Sequence, residues 1–229
     1  MKLNFVSYLV LFFLMLGAIG CESEDSENVD QDRIYAAYEL FYDETENVTY
    51  AKTTFSFGNL TGTRLELSEG ASIIFNDTAI PFNNVGGFYE LKLAGLVNSG
   101  TFLYTDLDGE VFSNLITLRA VNFPENIPTI LDRSQSYELI WQGASVAEGA
   151  SSVVATVVPN NIQQTKVFTQ SNEDATSVVL GSGVLQDIDP QPGTLILERF
   201  DITEATETTS AGGLITGRYR PTVLSINIE

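Results

Sequence analysis

Histidine is absent from this 229-residue chain, and cysteine occurs once, at Cys21. Without histidine there can be no Ser-His-Asp or Cys-His catalytic arrangement and no histidine-ligated zinc. A lone cysteine cannot form an intramolecular disulfide bond. The chain also lacks a glycine-rich phosphate-binding loop placed after a strand, because the pairs Gly86-Gly87 and Gly212-Gly213 are isolated and are typical of turns. These absences exclude several large enzyme classes.

Basic residues are scarce as well, with 11 Lys and Arg against 30 Asp and Glu and a formal net charge of −19. This charge repels nucleic acids and anionic membranes, so we expect no nucleic-acid partner. With 30 acidic residues any two can meet in space, so a carboxylate-dependent glycoside hydrolase stays open as an alternative. The sequence singles out no such pair, and we expect a protein that is not an enzyme.

The N-terminus has the anatomy of a signal peptide. Lys2 precedes an apolar run over Phe5–Leu16, which ends in Ala18-Ile19-Gly20-Cys21. The run is shorter than the roughly 20 apolar residues that span a bilayer. It resembles a bacterial lipobox, although Ala18 stands where Leu is most usual. The resemblance implies a signal peptide over 1–20 and a lipidated Cys21, acylated with fatty acids such as palmitate. A secretory peptide cut near Gly20, leaving an unmodified cysteine, is the alternative.

An acidic segment follows the cysteine, with six acidic residues between positions 22 and 32. Like charges repel and bury little apolar surface, so we expect residues 21–32 to form a disordered tether. Ser23, Glu24 and Asp25 resemble the acidic export signals of Bacteroidota surface lipoproteins. That resemblance implies an outer-membrane location, lipid-anchored and facing the cell exterior. A spacer that leaves the protein in the periplasm is the alternative.

The rest of the chain has the periodicity of strands, so we predict an all-β fold. Short runs rich in apolar residues are separated by breaks that contain Gly, Asn or Asp, at intervals close to those of a β-sandwich. Two prolines within Asn122–Pro128 would interrupt a strand ladder and suggest a boundary. We therefore predict two immunoglobulin-like β-sandwich domains, over 33–119 and 120–229, each with its own core. Trp141 is expected in the core of the second, with an exposed stacking role as the alternative.

Three local patterns suggest sites. Asp106-Leu107-Asp108-Gly109 resembles part of a calcium loop, with Asp106 and Asp108 as ligands, but the Asp-Gly pair between two apolar runs favours a hairpin turn. The same choice holds for Asp187-Ile188-Asp189-Pro190. We expect no cofactor, with Ca2+ as the one ion worth testing. Asp77-Thr78-Ala79 matches the short O-glycosylation sequon of Bacteroidota, which makes Thr78 a candidate glycosylation site.

Signal, tether and all-β body together resemble the Bacteroidota surface lipoproteins built of immunoglobulin-like modules. The resemblance implies a lipid-anchored, surface-exposed, non-enzymatic binding module for a glycan or a partner protein. Its contact with the membrane would be through the lipid anchor only. A structural accessory subunit of an envelope complex, without a small ligand, is the alternative. Aromatic residues that converge on one sheet face would favour a glycan, and a long unpaired edge strand would favour a protein partner.

Overall fold

The computed structural model describes residues 23–229, so the expected signal peptide over 1–20 and the lipidation site Cys21 lie outside the described residues. The described chain is mainly β, which confirms the all-β prediction. The strands of the first half are β1 (Glu24–Asp25), β2 (Ile34–Asp43), β3 (Val48–Phe57), β4 (Arg64–Glu66), β5 (Ser72–Phe75), β6 (Thr78–Ala79), β7 (Phe82–Asn83), β8 (Phe88–Ala94), β9 (Ser99–Thr105) and β10 (Val111–Thr117).

The second half contributes as many strands and little helix. These strands are β11 (Val121–Asn122), β12 (Ile130–Leu131), β13 (Tyr137–Ile140), β14 (Gln142–Gly143), β15 (Ala150–Pro159), β16 (Lys166–Gln170), β17 (Ser177–Leu180), β18 (Gln191–Glu204), β19 (Gly213–Arg220) and β20 (Leu224–Ile228). The helical turns are α1 (Ser182–Leu185) and the 3-10 helices Ser26–Asn28, Gln31–Arg33 and Ile162–Gln164.

The largest sheet contains strands from both halves of the chain. It has 12 strands, and the order along its main path is β1-β4-β3-β2-β19-β18-β15-β16. β2 pairs in parallel with β19, from Ala36 opposite Gly213 to Asp43 opposite Arg220. Two long central strands, one from each half, therefore join the halves through backbone hydrogen bonds.

Smaller sheets cover one face of this sheet and give a sandwich-like arrangement. The four-stranded sheet β10-β9-β5-β6 packs on the first-half strands. There the Phe55 ring lies 4.6 Å from the Tyr104 ring, and the Tyr38 ring lies 5.2 Å from that of Phe102 (centroid distances). The two-stranded sheets β13-β17 and β11-β14 contact the second-half strands β15 and β18. Trp141 is buried there, and its Nε1 donates to the Ala144 carbonyl oxygen at 3.0 Å, which confirms its core position.

The predicted division into two units with separate cores is wrong. The buried apolar residues form one contiguous cluster that runs from Ile34 to Ile228. The segment after residue 119, placed at the expected boundary, contains β11, whose Val121 and Asn122 pair with β14. The prolines at 124 and 128 do lie in a stretch without strand pairing, but β2 pairs on one side with β3 and on the other with β19, a strand about 175 residues later in the chain. Local sequence carries no signal for such a pairing.

The expected disordered tether over 21–32 is also wrong from Glu24 onward. β1 pairs in parallel with β4, and two 3-10 turns follow it. Ser26 is fully buried, and its Oγ accepts from the Ser68 backbone N–H at 2.9 Å. The Gln31 side chain is buried and donates to the carbonyl oxygens of Ser26 and Val29. The segment is ordered by these polar contacts while its acidic side chains face solvent, so charge repulsion does not decide its conformation.

A charged network lies at the inner face of the long sheet. Arg199 is fully buried and donates to the Ala144 carbonyl oxygen at 2.7 Å and to that of Ser145. Its Nε lies 3.3 Å from Asp201 Oδ2. The same carboxylate binds Arg119 with two hydrogen bonds and accepts from Ser151 Oγ at 2.7 Å. Two guanidinium groups thus share one carboxylate.

Candidate functional site

The opposite face of the long sheet has no second layer within residues 23–229, and we call it the open face. Its side chains alternate along each strand with those of the core, so they are half-buried where their neighbours are fully buried. Aromatic and charged groups concentrate on this face. They are Tyr35, Glu39, Phe41, Asp43, Tyr50, Lys52, Phe88, Glu90, Lys92, Glu198, Phe200, Glu204, Arg218 and Arg220.

A row of cations and aromatic rings crosses five strands of the open face. Strand register places five residues directly side by side, in the order Lys92, Tyr50, Phe41, Arg218, Phe200. The rings of Phe41 and Tyr50 stack with centroids 5.7 Å apart and planes 16° apart. The Arg218 guanidinium lies 4.3 Å from the centre of the Phe41 ring and 5.2 Å from that of Phe200. Such contacts stabilise by about 0.5–1 kcal/mol each at exposed sites.

Carboxylates fix the cations of this row. Glu198 accepts from Arg218 Nε at 2.9 Å and from Arg220 Nε at 3.0 Å, so it bridges the two guanidinium groups. Asp43 accepts from Arg220 Nη1 at 2.8 Å. On the other side of the face, the Glu90 carboxylate lies 3.3 Å from Lys52 Nζ and 3.8 Å from Lys92 Nζ. These ion pairs therefore fix the orientations of the Arg and Lys side chains and of the rings that they contact.

The rings of the row differ in how accessible they are. Phe41 is 7% exposed, because Arg218 and Arg220 both lie over it. Tyr50 and Phe200 are half-buried and keep part of their surface open. The Tyr50 hydroxyl donates to Glu46, and this bond, helped by burial, raises the pKa of Tyr50 to about 12. Tyr50 thus stays a neutral aromatic group at physiological pH.

A pocket of about 330 Å³ lies at the end of the open face, where β2, β18 and β19 meet the loop over 205–212. Its lining residues are Tyr35, Glu204, Ala205, Thr208, Ala211, Gly212, Gly213 and Leu214. Gly212 has a positive φ of +87°, and a Cβ there would stand 3.7 Å from Tyr35 Cε2. Burial and the nearby Glu204 carboxylate raise the pKa of Tyr35 above its ordinary value.

A second feature is the free part of an edge strand, β10. The Leu118 backbone N–H donates to the carbonyl oxygen of Asn98, just before β9. Because backbone groups point to alternate sides along a strand, those of Ser113, Leu115 and Thr117 point away from β9. Glu207 caps one of these, the Ser113 N–H, at 2.7 Å. Beyond it, Leu115 is 68% exposed beside a groove of about 370 Å³ with Gly217 and Arg119 in its lining. Only a short stretch of this edge is therefore open.

The structure places Asp106 and Asp108 in a hairpin turn between β9 and β10, as the Asp-Gly pair predicts. Asp106 is buried, and its Oδ1 accepts from the Glu110 backbone N–H at 2.8 Å. Gly109 takes the positive φ of +82° that this turn requires. Within residues 23–229 no group of three or more His, Cys, Asp or Glu side chains is arranged to hold a metal ion. The Asp106 carboxylate therefore has a structural partner that explains its position without a cation.

Chelation tests this turn directly. We expect EDTA to leave the thermal midpoint unchanged, and Asp106→Ala to cost about 1 kcal/mol because the Glu110 N–H loses its acceptor. Asp108→Ala is the matched control, since Asp108 is exposed and we expect no change in stability. Scanning calorimetry with and without calcium measures both. A calcium-dependent rise in midpoint that disappears in Asp106→Ala would contradict the turn assignment.

The other predicted site residues are spread over the surface. Thr78 is exposed and begins β6, directly after a tight turn in which Asn76 and Asp77 both have positive φ. Its glycosylation stays a prediction. Asp187 pairs with Lys166 at 3.1 Å, and Asp189 accepts from Gln164 Nε2 at 2.8 Å, so the two acids have separate partners. Ser23 precedes β1, and the side chains of Glu24 and Asp25 are exposed.

Sequence reasoning assigned no functional role to any residue of the open-face row or of the Tyr35 pocket. Alternation along single strands was a usable signal, because it places Tyr50 and Lys52 on one face. The neighbours across strands are not predictable in that way. No known protein family matches the chain, and no curated protein is significantly similar to it. Among the described residues no helix is long and apolar enough to cross a membrane.

Proposed function

We propose that the protein is a non-enzymatic, glycan-binding module and that the glycan lies across the open face. One observation carries this proposal: the row Lys92, Tyr50, Phe41, Arg218, Phe200 lies on a sheet face that is not covered by a second layer. Rings supply apolar contact to the C–H faces of sugars. Oriented guanidinium and carboxylate groups supply donors and acceptors for their hydroxyl groups.

The prior arrangement of these groups supports binding of a hydroxyl-rich ligand. Arg218 and Arg220 share Glu198, so their orientation is fixed before binding and less side-chain entropy is lost. The row and its partners contain four cations and four carboxylates, Lys52, Lys92, Arg218 and Arg220 with Glu39, Asp43, Glu90 and Glu198. The row and its partners are therefore locally neutral on a protein of charge −19, which suits a neutral polysaccharide.

The cellular context of this proposal rests on the N-terminal sequence. Lipidation at Cys21 would hold the module at the outer membrane, and Ser23, Glu24 and Asp25 would direct it to the exterior. The exposed side chains of Glu24 and Asp25 are compatible with recognition by an export system. We keep the relation to Bacteroidota surface lipoproteins with immunoglobulin-like modules as part of the proposal.

Affinity electrophoresis on gels that contain soluble neutral polysaccharides tests the function. We expect the protein to be retarded by at least one of them, and Tyr50→Ala to weaken retention about tenfold, because the half-buried ring is the accessible centre of the row. Leu115→Ala is the matched control, since it truncates an exposed apolar residue outside the open face. No retardation by any neutral polysaccharide, or equal retention of Tyr50→Ala, would refute the proposed surface.

A second function, binding of a protein partner, is supported by the free stretch of β10. An extended segment could pair with the outward backbone groups of Leu115 and Thr117 and fill the groove above Gly217. An accessory subunit of an envelope complex would use such an edge. We rank it second because Glu207 already occupies the Ser113 N–H, which leaves few positions for pairing. Loss of a native envelope complex in Leu115→Ala, with glycan retention intact, would favour this function.

A further inference from the structure

The pocket at the end of the open face differs from the row in its chemistry. Its lining combines the aromatic ring and hydroxyl group of Tyr35 with the carboxylate of Glu204 and the hydroxyl group of Thr208. Within residues 23–229 these three side chains are engaged in neither a hydrogen bond nor an ion pair, whereas the carboxylates of the row are each paired with a cation. Its polar groups are therefore free to meet a ligand.

The shape of the pocket follows from its backbone. Gly212 and Gly213 join the loop over 205–212 to β19. At Gly213 a Cβ would stand 2.9 Å from the Ala36 carbonyl oxygen and 3.0 Å from Ala205 Cβ, so the loop packs closely there. At Gly212 the missing side chain leaves one side of the Tyr35 ring open. The resulting volume of about 330 Å³ is at the small end of the range for ligand sites, roughly 300–1,000 Å³.

The pocket continues the open face and does not form a separate site. Tyr35 shares β2 with Glu39 and Phe41, and Glu204 shares β18 with Glu198 and Phe200, with all of these side chains on the same face. A chain-like ligand that lies on the row can therefore extend along the strands into the pocket. The loop over 205–212 closes that end, so the pocket is suited to the end of a chain.

The electrostatics of the pocket select against anionic sugars. Its lining contains the Glu204 carboxylate and no Lys or Arg, and the protein carries a net charge of −19. A uronic acid would bring a second carboxylate next to the first without a countercharge, which is repulsive. A neutral ring instead offers hydroxyl donors to Glu204 and a C–H face to the Tyr35 ring.

We propose that this pocket binds the terminal, neutral sugar ring of the glycan, stacked on Tyr35 and hydrogen-bonded through its hydroxyl groups to Glu204. The inference rests on the proposed glycan-binding function and gives it a ligand class and an orientation. The row would hold the inner rings of the chain, and the pocket would recognise the chain end. Glycans capped by a uronic acid would bind more weakly than glycans with a neutral end.

Matched methyl glycosides test this proposal with the full-length protein. The probes are the neutral methyl glucoside and methyl galactoside, each against its uronate, which differs only by a carboxylate at C6. In titration calorimetry and saturation-transfer NMR we expect at least one neutral glycoside to bind, and its uronate to bind about tenfold more weakly. Glu204→Gln should reduce that preference, and Tyr35→Ala should weaken the neutral sugar about tenfold.

Controls separate binding from folding and from other ligands. Tyr35→Phe keeps the ring and should retain most of the affinity, and an unchanged unfolding midpoint shows that each variant is folded. Tetramethylammonium tests the pocket as a cation site, because a ring and a carboxylate also suit an organic cation. Stronger binding of this cation than of any neutral glycoside would overturn the proposal, as would equal affinity for neutral sugar and uronate.

The two proposals fail in distinguishable ways. If Tyr50→Ala abolishes polysaccharide retention while Tyr35→Ala and Glu204→Gln leave it unchanged, the pocket proposal is wrong and the open face remains the binding surface. If methyl glycosides bind in the pocket but no polysaccharide is retained, the row is not a glycan surface. If neither probe binds, both proposals are refuted.

Discussion

Phe55→Ala is expected to lower the free energy of unfolding by about 3–5 kcal/mol, the usual cost of truncating a buried phenylalanine. Phe55 is fully buried, and its ring packs 4.6 Å from Tyr104 and 5.6 Å from Tyr89 (centroid distances). For a protein of this size the change corresponds to a fall in thermal midpoint on the order of 10 °C. The question for the experiment is whether the second half of the chain loses stability together with the first.

Trp141 is the single tryptophan and lies in the second half of the chain, whereas Phe55 lies in the first. Because β2 and β19 pair along eight positions and the core is one cluster, we expect both halves to unfold in one transition. Trp141 fluorescence in Phe55→Ala should therefore shift to the same lower midpoint as far-ultraviolet circular dichroism. Two sandwiches with separate cores would instead leave the Trp141 transition where it is in the unmodified protein.

Two further variants control this experiment. Leu197→Ala truncates a fully buried residue of β18 in the second half. It should lower the unfolding midpoints from Trp141 fluorescence and from circular dichroism by the same amount. Phe55→Leu removes less volume and provides a folded variant if Phe55→Ala is too unstable to purify. A Trp141 midpoint that stays constant in both Phe55 variants would contradict the cooperative unit.

Asp201→Asn is expected to cost about 3–5 kcal/mol, because it removes the negative charge to which the guanidinium groups of both Arg199 and Arg119 are bound. Arg199 is fully buried, and burial is the main cause that lowers its pKa. An arginine in a protein still does not lose its proton. In Asp201→Asn the Arg199 charge therefore stays buried without its carboxylate partner and lowers the free energy of unfolding. Urea unfolding measures this loss.

Asp187→Asn is the matched control, since it makes the same chemical change in an exposed ion pair. Asp187 lies 3.1 Å from Lys166, and its side chain is 65% exposed. Exposed pairs contribute about 0–1 kcal/mol, so we expect little change in the urea midpoint. Equal losses in the two variants would mean that burial of the Arg199 network has no special energetic role.

The strands and their nearest neighbours were predictable from sequence because hairpins are local. The turn around residues 43–47 joins β2 to β3, and the turn over residues 106–110 joins β9 to β10, each in a hairpin. In both, polar turn residues separate runs of strand-forming residues, and a short loop fixes the pairing of its two strands. The hairpin assignment of Asp106 succeeded for this reason.

The acidic segment shows the limit of composition as a signal. Six acids among residues 22–32 predict repulsion and disorder, yet Ser26 and Gln31 are buried and bonded within the fold. Two uncharged polar residues at the right places outweighed the charge pattern. Gln31 also bonds within the segment, to Ser26 and Val29. The bonds that attach the segment to the rest of the fold come from Ser68 and Leu107, 42 and 76 residues away from Ser26 and Gln31, and could not be derived from the segment's own sequence.

The sequence by itself determined the all-β class, the local hairpins and the exclusion of histidine-based chemistry, because these depend on residue type and short-range periodicity. Tertiary structure alone decided that both halves share one sheet, because β2 pairs with β19, a strand near the other end of the chain. It also decided the candidate site. Phe41 and Arg218 become neighbours only through that pairing, and Tyr35 meets Glu204 only because the same strands bring their ends together.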